Sequence, residues 1–299
     1  MAVIESTESP RRAGARRGRR RPGFVVYLAL LAVAVTSVFP LYWSFVVATS
    51  DGSAIAERTP PLTPGGHLFE NLRSVFDKVD FWLALENSAI VSGTVMVSNV
   101  LLASLAGFAF ARLRFPGRNT LFLFVIGTVM VPSQLGIIPM YIVVSDLGWY
   151  GRLPAVIVPG LVSAFSVFWM RQTCEEAVSR DLVDAAAMDG CSILKTYWHV
   201  VLPAIRPQAA VLGMLTFMAA WNDFFFPLAV LDPNESPTVQ VALSTLASGY
   251  YTDYALMLTG TTLGVLPVIV LFVLLSRHIV SGTLRGVPGV ESKRGKEKR

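Results

Sequence analysis

Six long apolar stretches constrain the fold of this chain more than any other feature of its sequence. Each is close to the length that a helix needs to cross a hydrocarbon core of about 30 Å at about 1.5 Å per residue. Within a bilayer only a helix satisfies the backbone hydrogen bonds of a single segment. The sequence therefore predicts an all-α integral membrane protein with six transmembrane helices. The stretches are residues 24–49, 85–111, 121–145, 153–170, 209–231 and 254–276.

The composition is typical of a protein whose outer surface faces lipid. Of the 299 residues, 53% are hydrophobic and only 15% are charged, whereas a soluble domain has about a quarter of its residues charged. The net charge of +5 could suggest a nucleic-acid partner. The basic residues, however, cluster at the ends of apolar stretches and have no aromatic residues interleaved with them. The sequence therefore predicts a lipid bilayer, and no nucleic acid, as a partner.

The distribution of lysine and arginine predicts the orientation. With the N-terminus inside, the inner segments hold 21 of the 25 Lys and Arg residues, and positive residues concentrate on cytoplasmic loops. Both termini are therefore predicted to be cytoplasmic. The first stretch is predicted to be a retained helix, because it is about twice as long as the core of a cleaved signal. The proline-containing outer segments 50–84 and 232–253 are predicted to be extended or turning chain.

The longest inner segment, residues 175–207, is patterned for helix rather than for coil. Ser179 is a candidate N-cap, and Asp189-Gly190 is predicted to end the first helix, because glycine adopts the left-handed conformation readily. An amphipathic second helix is predicted to follow and to stop at Pro203. The first half is acidic, which does not suit anionic lipid. We therefore expect a partner protein with a basic-rimmed groove.

The stretch DAAAMDGCSILKTYWHVVLPAIRP, which ends at residue 207, closely resembles the EAA loop of ABC importer permeases. That pattern is EAA, two residues, DGA, an aromatic residue, LP and a further proline. In the family this loop is the coupling helix, which docks in a cleft of the ATP-hydrolysing subunit. The resemblance therefore implies an ATPase interface at Asp184, Ala185, Ala186, Asp189, Gly190, Tyr197, Leu202 and Pro203, and Pro207 occupies the position of the motif's last proline. The chain departs from the pattern at Asp184 (usually Glu), Cys191 (usually Ala) and Ser179 (commonly Pro).

The resemblance covers residues 85–288, and the segments WNDFFFPL and LPVIVLFVLLSRHIVSGTLRGVPG are similar to the carbohydrate-uptake branch. It implies a type I transmembrane domain, with a cytoplasmic coupling helix-turn-helix between helices four and five. The implied organisation is a basic tail (1–23), a first transmembrane helix (24–49), an extracytoplasmic loop (50–84), the transmembrane domain (85–281) and a second basic tail (282–299).

By this resemblance the chain is the permease subunit of an ATP-driven sugar importer, multi-pass in the bacterial cytoplasmic membrane, and not an enzyme. The implied partners are two ATP-binding subunits, a second homologous permease and an extracytoplasmic solute-binding protein. No cofactor is implied, because the partner hydrolyses ATP, and the sequence has no Walker A motif. The histidines are too scattered to predict a metal site. The alternatives are an ABC permease for a non-sugar solute, a self-sufficient secondary transporter and a membrane-embedded enzyme.

Four polar residues within the apolar stretches are candidates for the translocation pathway. Asn222 and Asp223 are predicted to lie in the middle of helix five, where a carboxylate costs about 2.5–3.5 kcal/mol and must face protein or water. The other two candidates, Gln134 and Asn99, are single amides. For each residue the alternative is a structural role, in which Asn222 and Asp223 brace a kink and the amides hold helices together.

Overall fold

Every regular element in the described part of the chain is helical. The structure, a computed structural model, describes residues 23–52, 61–247 and 253–285, with side chains as far as residue 274. A 3-10 turn (Ser133–Gly136) precedes α5, and a π turn (Tyr197–Val201) joins α9 to α10. The helices are α1 (Phe24–Ala48), α2 (Leu68–Lys78), α3 (Phe81–Arg112), α4 (Arg118–Val129), α5 (Ile137–Asp146), α6 (Pro154–Gly160), α7 (Ala164–Ala177), α8 (Arg180–Met188), α9 (Ile193–Thr196), α10 (Leu202–Trp221), α11 (Phe225–Val230), α12 (Val239–Leu246) and α13 (Tyr254–Arg285).

The all-α prediction is confirmed for the described ranges, and the number of spans is five or six. Five helical segments are long and apolar enough to cross a membrane; a sixth requires α4 and Ser133–Asp146 to form one bent span. The chain divides into two compact units, residues 1–43 and 44–299, and the second contains every element after α1. The five segments are Phe24–Ala48, Phe81–Arg112, Pro154–Ala177, Ile193–Trp221 and Tyr254–Leu274.

The third predicted helix, residues 121–145, is broken rather than continuous. α4 ends at Val129, and the chain turns by 90° before the segment Ser133–Asp146. Pro132 lies in the break, where its ring disfavours helical backbone at the preceding residue and it has no N–H to donate. Residues 121–145 were predicted to form one continuous helix, and the observed bend is a full change of direction.

The fifth predicted helix has different ends from those expected. The prediction placed it at 209–231 and ended the preceding amphipathic helix at Pro203, but one helical segment runs from Ile193 to Trp221. The π turn ends at Val201, two residues before Pro203, and a wider turn accommodates a proline ring and its missing N–H. Hydropathy alone cannot reveal this local change in hydrogen bonding, which joins residues 175–207 to a membrane span.

The outer segments 50–84 and 232–253 were predicted to be extended or turning chain, and this is wrong in part for both. The first contains α2 and the second contains α12. Their prolines lie before these helices, and the residues that follow are free of proline. Val75 of α2 is fully buried in one hydrophobic cluster with Val239 and Leu243 of α12, so tertiary packing stabilises both helices.

The core next to residues 175–207 forms where α3, α7 and α10 meet. Its buried side chains include Phe108, Met170 and Ile205. A Cβ atom at Gly107 would lie 2.6 Å from the backbone carbonyl carbon of Met170 and 2.7 Å from the backbone nitrogen of Arg171. No side chain is tolerated at those distances, so the approach of α3 to α7 requires glycine at this position.

Gly107→Ala is expected to lower the thermal stability of the purified protein, because the added methyl group forces α3 and α7 apart at a cost of about 1–3 kcal/mol. Gly93→Ala is the matched control in the same helix, since a Cβ atom there meets nothing within 4 Å. Alanine favours helix over glycine by about 0.5–1 kcal/mol, so the control should be neutral or stabilising. The fraction of monodisperse protein that survives a heat ramp in detergent measures both variants, and equal losses would contradict the packing argument.

Candidate functional site

Local hydrogen bonds define the helix-turn-helix predicted at residues 175–207. The Ser179 hydroxyl accepts a hydrogen bond from the backbone N–H of Leu182 at 3.3 Å, so Ser179 is the N-cap of α8 as predicted. Gly190 has a φ of 76°. The N–H of Cys191 donates to the carbonyl of Ala186, and the N–H of Gly190 donates to that of Ala187. These two bonds form a Schellman motif, which confirms the predicted glycine turn.

Two contacts with α3 hold residues 175–207 in place, one at the start of this segment and one at Tyr197 in its second half. At the beginning, the Arg112 guanidinium donates to the backbone carbonyl of Glu175 at 2.6 Å, which satisfies one of the free carbonyls at the end of α7. In the second half, the Tyr197 side chain is 1% exposed, and its hydroxyl lies 2.7 Å from the Ser104 hydroxyl. The position of α8 therefore follows that of α3, while α8 itself projects outward.

The predicted ATPase-contact residues divide into an exposed group and a buried group. Ala186 and Tyr197 are buried and Leu202 is half-buried, so these three position the segment rather than offer a surface. Pro207, also half-buried, lies inside α10. The exposed residues are Asp184, Ala185, Asp189, Gly190 and Pro203.

Exposed apolar side chains lie beside the exposed acids. Met188 is 88% exposed, although a side chain of its size normally avoids water. Neither Asp184 nor Asp189 forms an ion pair with another described residue. Ile193 and Leu194 begin the second helix, which the sequence predicted to be amphipathic, whereas no sequence pattern identified Met188 or Leu182 as surface residues. We call this set the α8 surface: Leu182, Asp184, Met188, Asp189, Ile193 and Leu194.

The pathway candidates Asn222 and Asp223 lie in a break between two helices, and not in the middle of a helix as predicted. α10 ends at Trp221 and α11 begins at Phe225. The Asn222 side-chain amide donates to the carbonyl of Met218 at 2.8 Å. Asn222 is also the C-cap residue of α10, so its side chain contributes a hydrogen bond to a carbonyl group of the last turn of that helix.

The break directs the two neighbouring residues into different cavities. Asp223 and Gln134 line one cavity of about 310 Å³, whose wall also includes Phe225 and Phe226. Asn222 lines a second cavity of about 460 Å³, together with polar residues that the sequence reading missed: Gln240, Ser244 and Thr261. The 90° bend after α4 turns the 3-10 helix that carries Gln134, which brings two residues distant in sequence into one cavity.

Asn99 is buried, and both the nitrogen and the oxygen of its side-chain amide form hydrogen bonds within the protein. The amide nitrogen donates to the carbonyl of Gly160 at 2.6 Å and to that of Val95 at 3.1 Å, and the amide oxygen accepts from the N–H of Ser163 at 3.0 Å. These bonds tie α3 to the break between α6 and α7. Asn99 lines neither of the two cavities, so its geometry favours the alternative of an amide that holds helices together.

Comparison with known proteins identifies the family. Residues 99–283 match the family described as binding-protein-dependent transport system inner membrane component. The chain belongs to this family. Members of this family are transport permeases, so this chain is a transport permease and not an enzyme. The described residues contain no group of three or more His, Cys, Asp or Glu side chains that could hold a metal ion.

Curated relatives of the permease are similar along most of its length. The lactose transport system permease protein LacG of Rhizobium radiobacter is 32% identical, over 90% of this chain and 97% of its own. The arabinooligosaccharides permease AraQ of Halalkalibacterium halodurans is 30% identical over 86% of this chain and 93% of its own. The sn-glycerol-3-phosphate permease UgpE of Salmonella typhi is 30% identical over 88% and 96%.

A solved structure shares the fold. It is a chain of a bacterial ABC transporter involved in the import of the acidic polysaccharide alginate, with a TM-score of 0.72. The match covers 85% of the permease and 95% of that chain at 22% identity. At this identity the likeness shows the fold, which is that of an ABC importer permease with several apolar helices.

Proposed function

We propose that this permease moves a sugar or sugar derivative across the bacterial cytoplasmic membrane, and that the α8 surface couples it to a separate ATPase. The observation that carries the proposal is the connection between the two candidate sites. The α8 surface lies at one end of the continuous helical segment Ile193–Trp221, and the break at Asn222 and Asp223 lies at the other end. At about 1.5 Å per residue this segment spans about 43 Å.

A rigid helix of that length can transmit movement between the sites. Tyr197 is buried near the start of the segment, so a displacement of α8 by a closing ATPase moves the core that α10 shares with α3 and α7. The break that follows the segment contributes Asp223 to one cavity and Asn222 to the other. Packed helices respond to such a push by shifting as units, because close-packed interiors resist gradual deformation.

The chemistry of the α8 surface supports a protein partner. Its acids make no ion pair with other described residues, and its apolar side chains are exposed beside them. An interface of this kind has an apolar centre and charges that select a basic partner. Two ATP-binding subunits, a second permease and an external solute-binding protein complete the proposed importer, with both termini of this chain in the cytoplasm.

The cavity that contains Asp223 and Gln134 supports a sugar as the solute. A sugar offers hydroxyl groups to carboxylate and amide oxygens and an apolar ring face to aromatic side chains such as Phe225 and Phe226. The names of the relatives point the same way, since they specify lactose, arabinooligosaccharides and sn-glycerol-3-phosphate. The alternative is an ABC permease for a non-sugar solute.

Co-purification of the tagged chain from detergent-solubilised native membranes tests the proposal. We expect mass spectrometry to find a second permease and an ATPase with a Walker A motif. Reconstituted with ATP inside vesicles, the complex should accumulate at least one of lactose, an arabino-oligosaccharide or sn-glycerol-3-phosphate, whereas the chain alone should not. A stable, monodisperse chain that transports solute without an ATPase would overturn the proposal.

A further inference from the structure

Three arginines line an open surface depression of about 660 Å³ at the end of α3. Arg114 comes from the α3–α4 connection, Arg118 is the first residue of α4, and Arg180 comes from the first turn of α8. The other lining residues include Asn119 and Thr120, which add neutral hydrogen-bond donors, and no carboxylate lines the depression. We call this set the arginine pocket: Arg114, Arg118, Asn119, Thr120 and Arg180.

The positive charge of the arginine pocket is not compensated within the described part of the chain. None of its three arginines forms an ion pair there. Arg118 uses one guanidinium nitrogen to donate to the carbonyl of Leu113 at 3.1 Å. Arg180 occupies the first turn of a helix, where the macrodipole favours an acid and disfavours a base. Guanidinium groups gathered in this way match an oxyanion that accepts several hydrogen bonds, and phosphate is the common one.

The pocket lies where a membrane span ends. α3 contains 32 residues and is about 48 Å long, which exceeds the hydrocarbon core of about 30 Å and reaches the headgroup layers. The α3–α4 connection begins at the next residue, Leu113, and α4 is again apolar. The phosphate groups of a bilayer lie just outside its hydrocarbon core. Arginines next to a span on the cytoplasmic side, where the sequence predicts this connection, attract anionic lipid.

We propose that the arginine pocket binds the phosphate group of an anionic phospholipid. Because Arg180 belongs to α8, and Arg114 and Arg118 to the α3–α4 connection and the start of α4, one phosphate would bridge these two parts of the chain and hold the first turn of α8 in place. The proposal rests on the membrane location of this family and not on the identity of the solute or of the ATPase. It assigns the pocket a role separate from the α8 surface, which is acidic.

Retention of phosphatidylglycerol by the purified full-length protein, measured by native mass spectrometry after delipidation, tests this proposal. The variant is Arg114→Gln with Arg180→Gln, because neither side chain has a described partner, and Arg118 is kept since it holds Leu113. Losing two charges at about fivefold each should weaken retention about twenty-five-fold. The matched control is Lys195→Gln with Arg206→Gln, which removes the same charge outside the pocket and should retain the lipid as the unmodified protein does.

Two further ligands separate the sources of the phosphate. Phosphatidylcholine with the same acyl chains should be retained more weakly than phosphatidylglycerol by the unmodified protein. Binding of inorganic phosphate without retention of phosphatidylglycerol would overturn the lipid assignment and leave a site for a free anion. Equal retention of phosphatidylglycerol by the variant and the control would overturn the proposal. Loss of an accompanying subunit from the variant with unchanged lipid retention would overturn it too, in favour of a contact with a partner protein. None of these measurements requires transport, so they remain decisive even if the proposed importer function fails.

Discussion

Asp184→Lys with Asp189→Lys is expected to release the ATPase from a permease that still folds. Both side chains are exposed, and neither forms an ion pair with another described residue, so the fold does not depend on their charge. At a basic partner surface, each reversal replaces an attraction with a repulsion. We expect a loss of about 3 kcal/mol or more, which is at least about a hundredfold in affinity. The ratio of ATPase to permease in the tagged complex measures it.

Asp146→Lys with Glu235→Lys is the matched control for this variant. It changes the net charge by the same amount, and both residues are exposed acids outside residues 175–207. The control should recover the ATPase at the normal ratio. A conservative variant sharpens the test: Asp184→Glu restores the family's usual residue with a longer reach and should retain the ATPase. A normal ATPase ratio for the double reversal at 184 and 189 would show that the α8 surface is not the coupling site.

The helix cap and the turn within residues 175–207 could be predicted from the sequence, whereas the contacts that hold this segment against α3 could not. The Ser179 cap and the Gly190 turn depend on residues within a few positions of each other, so residue type alone predicts them. The bond between Tyr197 and Ser104 joins residues 93 positions apart. The aromatic position in the motif gave no indication that Tyr197 is buried, because burial depends on how α3 and α10 pack.

The positions of the apolar stretches were predictable from the sequence, but their interruptions were not. Hydropathy averages over about 20 residues, so it located the stretches but could not locate a break of three residues such as Asn222–Phe224. It could not show that the π turn carries the helix past Pro203. Asn222 and Asp223 are adjacent in sequence and were treated as one feature. Because the helix breaks at these residues, Asp223 lines one cavity and Asn222 lines another. The bend after α4 places Gln134 in the same cavity as Asp223.

Asp223→Asn is expected to reduce solute uptake by about ten- to a hundredfold, because a hydrogen bond to a charged group contributes about 1.5–3 kcal/mol. ATPase co-purification should be unchanged, since Asp223 lies at the far end of the helix from the α8 surface. The measurement is the initial rate of solute uptake by the reconstituted complex. It uses saturating ATP and the solute that the complex accumulates.

A double-mutant cycle distinguishes a pathway residue from a structural brace. Asp223 and Gln134 share a cavity, so the effects of Asp223→Asn and Gln134→Ala on uptake should not add, because both remove contacts with one bound solute. Asn222 faces the other cavity, and Asn222→Ala should therefore add to Gln134→Ala. If Asp223 only stabilises the break before α11, Asp223→Asn will instead lower thermal stability while uptake per folded complex stays normal, and the assignment of this cavity to the pathway would be wrong.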